Sequence, residues 1–185
     1  MNTLLFEGER VRLAPPEPER DAEIESKWTH DAEYMRLLSD APMRPLSPVL
    51  IKKKYEEAEK EKAHNRFHFA IRAKADDRLV GFVKLENIEW NNGGGRVTLG
   101  IGDPNDRGRG YGAEALKLLL RYAFAELNLH RVTADTFEYN EGALRFLERA
   151  GFVTEVRRRQ AVHRDGRRWD VIKLGLLREE WERHA

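Results

Sequence analysis

The spacing of apolar residues changes repeatedly along this chain, and each change marks an element. From Arg10 to Ala14 it alternates, with Val11 and Leu13 on one face, which predicts a short strand stopped by Pro15-Pro16. Pro18 to Trp28 and Asp31 to Leu38 predict two short helices, parted near Thr29-His30. A proline-rich loop, Pro42 to Pro48, ends at Ser47-Pro48, a cap followed by proline at the first helical position. The helix begun there is expected to reach about Ala63, with Glu56 and Lys60 paired one turn apart.

A meander follows. Phe67 to Ile71, Leu79 to Ile88 and Arg96 to Ile101 are strand-like, with turns at Asp76-Asp77 and Asn91 to Gly95. The next helix carries Leu116, Leu119, Leu120, Ala123, Phe124 and Leu127 on one face. Arg131 to Phe137 is a strand, Glu141 to Arg149 a helix, and Gly151 its stop. Two last strands, about Val153 to His163 and Arg168 to Leu176, meet at Asp165-Gly166, a strong hairpin signal. The sum is a mixed α/β (α+β) domain, its sheet of six to seven strands mostly antiparallel and flanked by helices.

Composition narrows the function. At 185 residues one domain is expected over 1–185, with its core at about 8–181. The 33 basic residues nearly balance 32 acidic ones, so there is no general attraction to nucleic acid. No cysteine is present, which removes disulfides, thiolate metal ligands and a cysteine nucleophile. No metal site is expected. No apolar run approaches the ~20 residues of a membrane span. Met1 to Glu9 lacks a signal-peptide pattern, so a cytoplasmic protein without membrane partners is expected.

One segment carries recognisable chemistry. The strand Val97 to Ile101 enters a turn at Asp103-Pro104, and a loop, Arg107-Gly108-Arg109-Gly110-Tyr111-Gly112-Ala113, opens into the amphipathic helix. Glycines let backbone N–H groups approach an anion, and a helix N-terminus adds partial positive charge. Arg107 and Arg109 can add formal charge. The loop has neither the Gly-Lys-Ser/Thr ending of a Walker A loop nor the early βαβ context of a dinucleotide fold.

This loop resembles the Gln/Arg-x-x-Gly-x-Gly/Ala pyrophosphate loop of the GNAT N-acetyltransferase superfamily. Asn140-Glu141-Gly142-Ala143 through Gly151-Phe152 looks like the family's Asn-x-x-Ala/Ser…Gly-Phe segment. The closing run, Asp165-Gly166 to Trp181, is similar to the branch of ribosomal-protein alanine and spermidine acetyltransferases. The resemblance covers about Gly8 to Trp181 and implies the GNAT fold. It also implies transfer of an acetyl group from acetyl-CoA to a primary amine by direct attack, and it allows a homodimer. The acceptor would be a protein N-terminus, an amino acid, a polyamine or another small amine. Arg107, Gly108, Arg109, Gly110, Tyr111, Gly112 and Ala113 would hold the pyrophosphate. The backbone of Leu99, Gly100 and Ile101 would pair with the pantetheine arm, and Asn140 would contact it or cap the following helix.

The proton-handling groups depart from the family pattern. Tyr often stands seven residues after the Asn, where this chain has Leu147, and Ser three after it, where it has Ala143. Tyr139, just before the helix, and solvent remain to protonate the thiolate; Tyr139 also suits packing. Glu86 and Glu89, at the end of the strand bordering the expected cleft, are candidate bases. Trp28, Tyr34 and Trp90 are expected in the acceptor pocket, whereas His68, between Phe67 and Phe69, reads as a solvent-facing strand residue. The arginines around the last hairpin (Arg157, Arg158, Arg159, Arg164, Arg167, Arg168) admit an alternative. In that reading the chain binds RNA or the ribosome and keeps a vestigial acetyl-CoA site.

Overall fold

The computed structural model describes residues 4–60 and 65–184. Its strands are β1 (Val11–Ala14), β2 (Phe67–Ala73), β3 (Leu79–Glu89), β4 (Gly94–Ile101), β5 (Arg131–Phe137), β6 (Val153–Arg164) and β7 (Arg167–Leu177). They form one sheet in the order β1-β2-β3-β4-β5-β7-β6. Every neighbouring pair is antiparallel except β4 and β5, which run parallel. The helices are α1 (Pro18–Trp28), α2 (Ala32–Leu38), α3 (Pro48–Lys60), α4 (Tyr111–Arg121), α5 (Glu141–Arg149) and α6 (Arg178–His184). No helix among the described residues is long and apolar enough to cross a membrane.

Local chemistry explains most boundaries. The Leu50 N–H donates to the Ser47 hydroxyl at 3.3 Å, and Asp31 caps α2 by accepting from the N–H groups of Glu33 and Tyr34. Asp165 and Gly166 both have positive φ (52° and 75°), the backbone of a two-residue hairpin whose twist matches its strands. The expected end of α3 near Ala63 and the Glu56–Lys60 pair fall outside the residues and side chains described; Lys53 and Glu57 do pair, at 3.8 Å. Helix α6 is absent from the sequence reading. It is tethered where Arg178 donates to the Leu129 carbonyl at 3.1 Å and where Trp181 stacks on Phe124 with centroids 5.3 Å apart.

Two different covers protect the sheet. On one face α4 buries Leu116, Leu119 and Leu120 against Val83, Leu85 and Val97. The apolar stripe then continues through a π-helical segment (Tyr122–Glu126) that buries Ala123 and Phe124. On the other face α1 to α3 cover the β2–β3 end, through Trp28 and Tyr34 against Phe82 and through Ala22, Leu46, Ile51 and Tyr55, and the end of α2 reaches Tyr139, Asn140 and Arg164. A fully buried ion pair ties α1 down, since Arg72 Nη2 donates to both carboxylate oxygens of Asp21 at 3.0 Å. Leaving either charge alone there would cost about 3–5 kcal/mol.

The parallel contact between β4 and β5 is short. Gly94, Gly95 and Arg96 face Arg131, Val132 and Thr133, and beyond them the strands diverge. From Val97 onward β4 therefore has β3 on one side and an open edge on the other.

Candidate active site

The glycine loop sits on a braced turn. Asp103 caps a 3₁₀ turn (Pro104–Asp106) by accepting from Asn105 N–H at 2.8 Å. Arg78 donates two hydrogen bonds to the buried Asp106 carboxylate, at 2.5 and 2.6 Å, and holds its pKa below the usual range. Gly108 and Gly110 have φ of 73° and 85°, a region that glycine enters without steric cost. The backbone then enters α4, whose first N–H groups have no carbonyl one turn earlier to bond. Tyr111, Gly112 and Ala113 open that helix, and Glu114 N–H bonds back to the Gly110 carbonyl at 3.0 Å.

Arg107 is corrected by its surroundings. Its guanidinium donates to the carbonyls of Ile101 and Gly102 at 3.3 and 3.2 Å and pairs with Asp31 and Glu33 at 3.3 and 3.2 Å. Its N–H donates to the Pro104 carbonyl. Four acceptors turn it inward, so it braces the loop against α2 instead of projecting toward a phosphate. Arg109 is exposed at the loop. Gly100 and Gly102 answer a packing need: a Cβ on Gly102 would come within 1.9 Å of the Trp28 ring, and one on Gly100 within 2.9 Å of Phe82.

The gap between β4 and β5 is a cavity of about 560 Å³, lined by Thr98 and Leu99 on one side and Thr136 and Phe137 on the other. Asn140, Ala143 and Leu147 of the α5 region close it. Asn140 is the cap of α5, its Oδ1 accepting from Ala143 N–H at 3.0 Å while its amide donates to the Leu37 carbonyl at 3.4 Å. A second cavity of about 590 Å³ lies under α1 to α3, with Trp28, Tyr34, Tyr55 and Phe82 on its walls. Glu86 and Leu38 line both cavities.

Glu86 is held there by the Thr98 hydroxyl, which donates to it at 3.3 Å, and by Arg96 at 3.6 Å. Glu89 and Trp90 are elsewhere. The β3–β4 register shifts between Glu86 and Glu89, and Asn87 takes φ of 52°. Past that bulge Glu89 accepts from the Asn92 amide at 2.8 Å in the turn, and Trp90 lines neither cavity. Tyr139 is held within the fold. Its ring stacks on Phe137 with centroids 5.1 Å apart, and its hydroxyl donates to the Arg36 carbonyl at 2.8 Å. Burial pushes its pKa up.

His68 is a further correction. The expected solvent-facing residue lies in the second cavity, stacked on Tyr55 at 5.5 Å and edge-on to Phe82, because three helices cover that face. Burial, with Lys84 and Arg66 nearby, lowers its pKa to about 3, so the imidazole is neutral. Beside it the Tyr55 hydroxyl donates to Glu25 at 2.5 Å, and burial raises the Glu25 pKa. Sequence reasoning passed over Glu25, Tyr55 and Lys84. Helical spacing puts Glu25 one turn from Trp28, and period-two spacing puts Lys84 beside Glu86, so a signal for both existed. Among the described residues no group of His, Cys, Asp and Glu has the arrangement to hold a metal ion.

The hairpin arginines divide, some bonded within the fold while Arg159 and Arg168 stand exposed. Arg157 pairs with Glu138 and Asp170 at 3.2 and 2.6 Å, and Arg164 donates to the carbonyls of Arg36 and Ser39. Arg167 lies 3.4 Å over the Trp169 ring, and Arg158 lines the first cavity. No single basic stripe results.

Comparison with known proteins accords with this geometry. The model of the acetyltransferase (GNAT) domain matches residues 10–153. The chain is 29% identical over 182 residues to "SPbeta prophage-derived uncharacterized N-acetyltransferase YokL" of Bacillus subtilis, covering 98% of each chain. It is 37% identical over 130 residues to "Probable N-acetyltransferase YjcK" of the same organism, covering 69% of this chain and 70% of that one. The crystal structure of Vibrio cholerae spermidine N-acetyltransferase in complex with CoA and spermine superposes with a TM-score of 0.83. That alignment covers 95% of this chain and 99% of the other, and at 20% identity it is a likeness of fold.

Proposed function

The chain belongs to the GNAT acetyltransferase family, and from that premise we propose that it transfers the acetyl group of acetyl-CoA to a primary amine held under α1 to α3. The donor is assigned to the β4–β5 cavity, and the observation that carries the reading is that Glu86 lines both cavities. When bound, acetyl-CoA supplies a thioester carbonyl to the attacking nitrogen.

The residues of this chain fit that donor. The N–H groups from Gly108 to Ala113 can receive its pyrophosphate, with Arg109 adding charge at the surface. The open edge of β4 from Leu99 to Ile101 can pair with an amide-bearing arm. Glu86 is assigned the proton that the amine must lose. An alkyl ammonium has a pKa near 10, so most acceptor molecules arrive protonated at pH 7. The carboxylate sits at the mouth between the cavities, oriented by Thr98 and Arg96. The α5 side of the donor cavity offers only Ala143 and Leu147 at the positions where relatives carry hydroxyls, so protonation of the leaving thiolate is assigned to solvent.

Polyamines enter as one acceptor class through the spermidine enzyme among the structural neighbours, and amino acids and peptide N-termini remain beside them. The RNA-binding alternative is weakened by the internal pairing of the hairpin arginines. The test is Glu86→Gln, read by thiol release from acetyl-CoA against an amine panel. We expect kcat/KM for the amine to fall by roughly 10²-fold, with unchanged acetyl-CoA affinity and a deficit that shrinks toward pH 9. Glu89→Gln should behave as wild type. Wild-type rates for Glu86→Gln between pH 6 and 9 would remove Glu86 from this role.

A further inference from the structure

The floor of the acceptor cavity is a polar row on one sheet face. Phe82, Lys84 and Glu86 alternate on β3, and His68 lies directly across from Lys84 on β2. Their ionic partnerships differ. Glu25 accepts the Tyr55 hydroxyl, Glu57 at the rim pairs with Lys53 at 3.8 Å, and Glu86 has Arg96 at 3.6 Å. Lys84 makes no direct ion pair among the described residues: its charge acts on Glu25 at longer range, and its ammonium rests 4.9 Å from the centre of the Phe82 ring. Buried His68 Nε2 also has no hydrogen-bond partner.

A buried polar atom without a partner and a cation without a directly paired carboxylate line the same cavity, and both can take up an anionic group. A polyamine does not supply it. One of its amines can be taken up at Glu86, but the molecule has no anionic group to set against Lys84 and His68. An anion relieves both groups at once, since Lys84 neutralises it and a neutral imidazole can donate to it. Lys84 and Glu86 stand two residues apart on one strand, about 7 Å along the chain. Their side chains are long enough to converge on opposite charges a few atoms apart.

Building on the transferase reading, we propose that the acceptor is an amine that also carries a carboxylate, an amino-acid-type molecule with its ammonium at Glu86 and its carboxylate at Lys84 and His68. Lys84 is then a specificity-determining residue that distinguishes such acceptors from polyamines.

The experiment measures thiol release from acetyl-CoA with a set of amino acids, their carboxamides and spermidine. At least one amino acid should exceed both its carboxamide and spermidine by tenfold or more in kcat/KM. Lys84→Met should collapse that ratio to within about twofold and Lys84→Arg should restore most of it, with thermal melting certifying each fold. Spermidine as the best acceptor, a carboxamide equal to its amino acid, or a ratio that survives Lys84→Met would overturn the proposal. If no amine releases thiol, the transferase reading fails, and the carboxylate site is read directly by calorimetry. Amino acids that bind the wild-type chain but not Lys84→Met support the site, whereas absent or equal binding overturns it.

Discussion

Acidification should destabilise this fold through His68, by an amount the structure allows to be worked out. In the unfolded chain the imidazole titrates near 6.5, and in the folded one its pKa is about 3. Between these values the unfolded state binds a proton that the native state refuses, so stability is fully present above pH 6.5 and falls as pH drops toward 3. At pH 5 the unfolded imidazole is almost wholly protonated and the folded one almost wholly neutral, which corresponds to about 2 kcal/mol of lost stability. Partial solvent access at the cavity makes that an upper figure. Glu25 acts with the opposite sign, because its raised pKa lets the native state keep a proton longer than the unfolded one. A comparison of variants therefore isolates His68 better than the wild-type curve does. The perturbation is His68→Phe, which keeps a ring between Tyr55 and Phe82 and removes the titration. Urea unfolding at pH 5 and pH 8 should show wild type losing up to about 2 kcal/mol more than His68→Phe between the two. His68→Asn serves as a second non-titrating variant should the larger ring disturb packing. Equal pH dependence in wild type and both variants would refute the neutral, buried imidazole.

Two more outcomes test the loop and Tyr139. Gly110→Ala would force a side chain into φ of 85°, with its Cβ 2.7 Å from Arg10 Nη1, and should weaken acetyl-CoA binding at least tenfold by calorimetry, about 1.4 kcal/mol. Tyr139→Phe removes only the hydrogen bond to the Arg36 carbonyl, so steady-state kcat should stay within about twofold while thermal melting shows a loss of about 1 kcal/mol.

What the sequence determined by itself is local. Ser47-Pro48, Asp165-Gly166 and the glycine loop specify their backbone through rules that act within a few residues, and each stands where the spacing puts it. Apolar runs and turn signals likewise set β2 to β7 within a residue or two, the last two strands through the Asp165-Gly166 hairpin. The tertiary structure decided which polar residues share a cavity. Glu86 and Glu89 look alike in sequence, but a bulge at Asn87, a non-glycine residue with positive φ, separates them, so that Glu86 lines both cavities and Glu89 neither. Arg107 looks like a phosphate ligand until Asp31 and Glu33, more than seventy residues away, capture it. His68 looks solvent-facing until α1 to α3 cover its face. The parting of β4 from β5, which opens the cavity between them, has no local signature, since it depends on where two distant strands stop pairing. Short-range sterics and hydrogen bonding write elements into the sequence, whereas burial, ion pairing and cavity shape exist only once distant segments have packed.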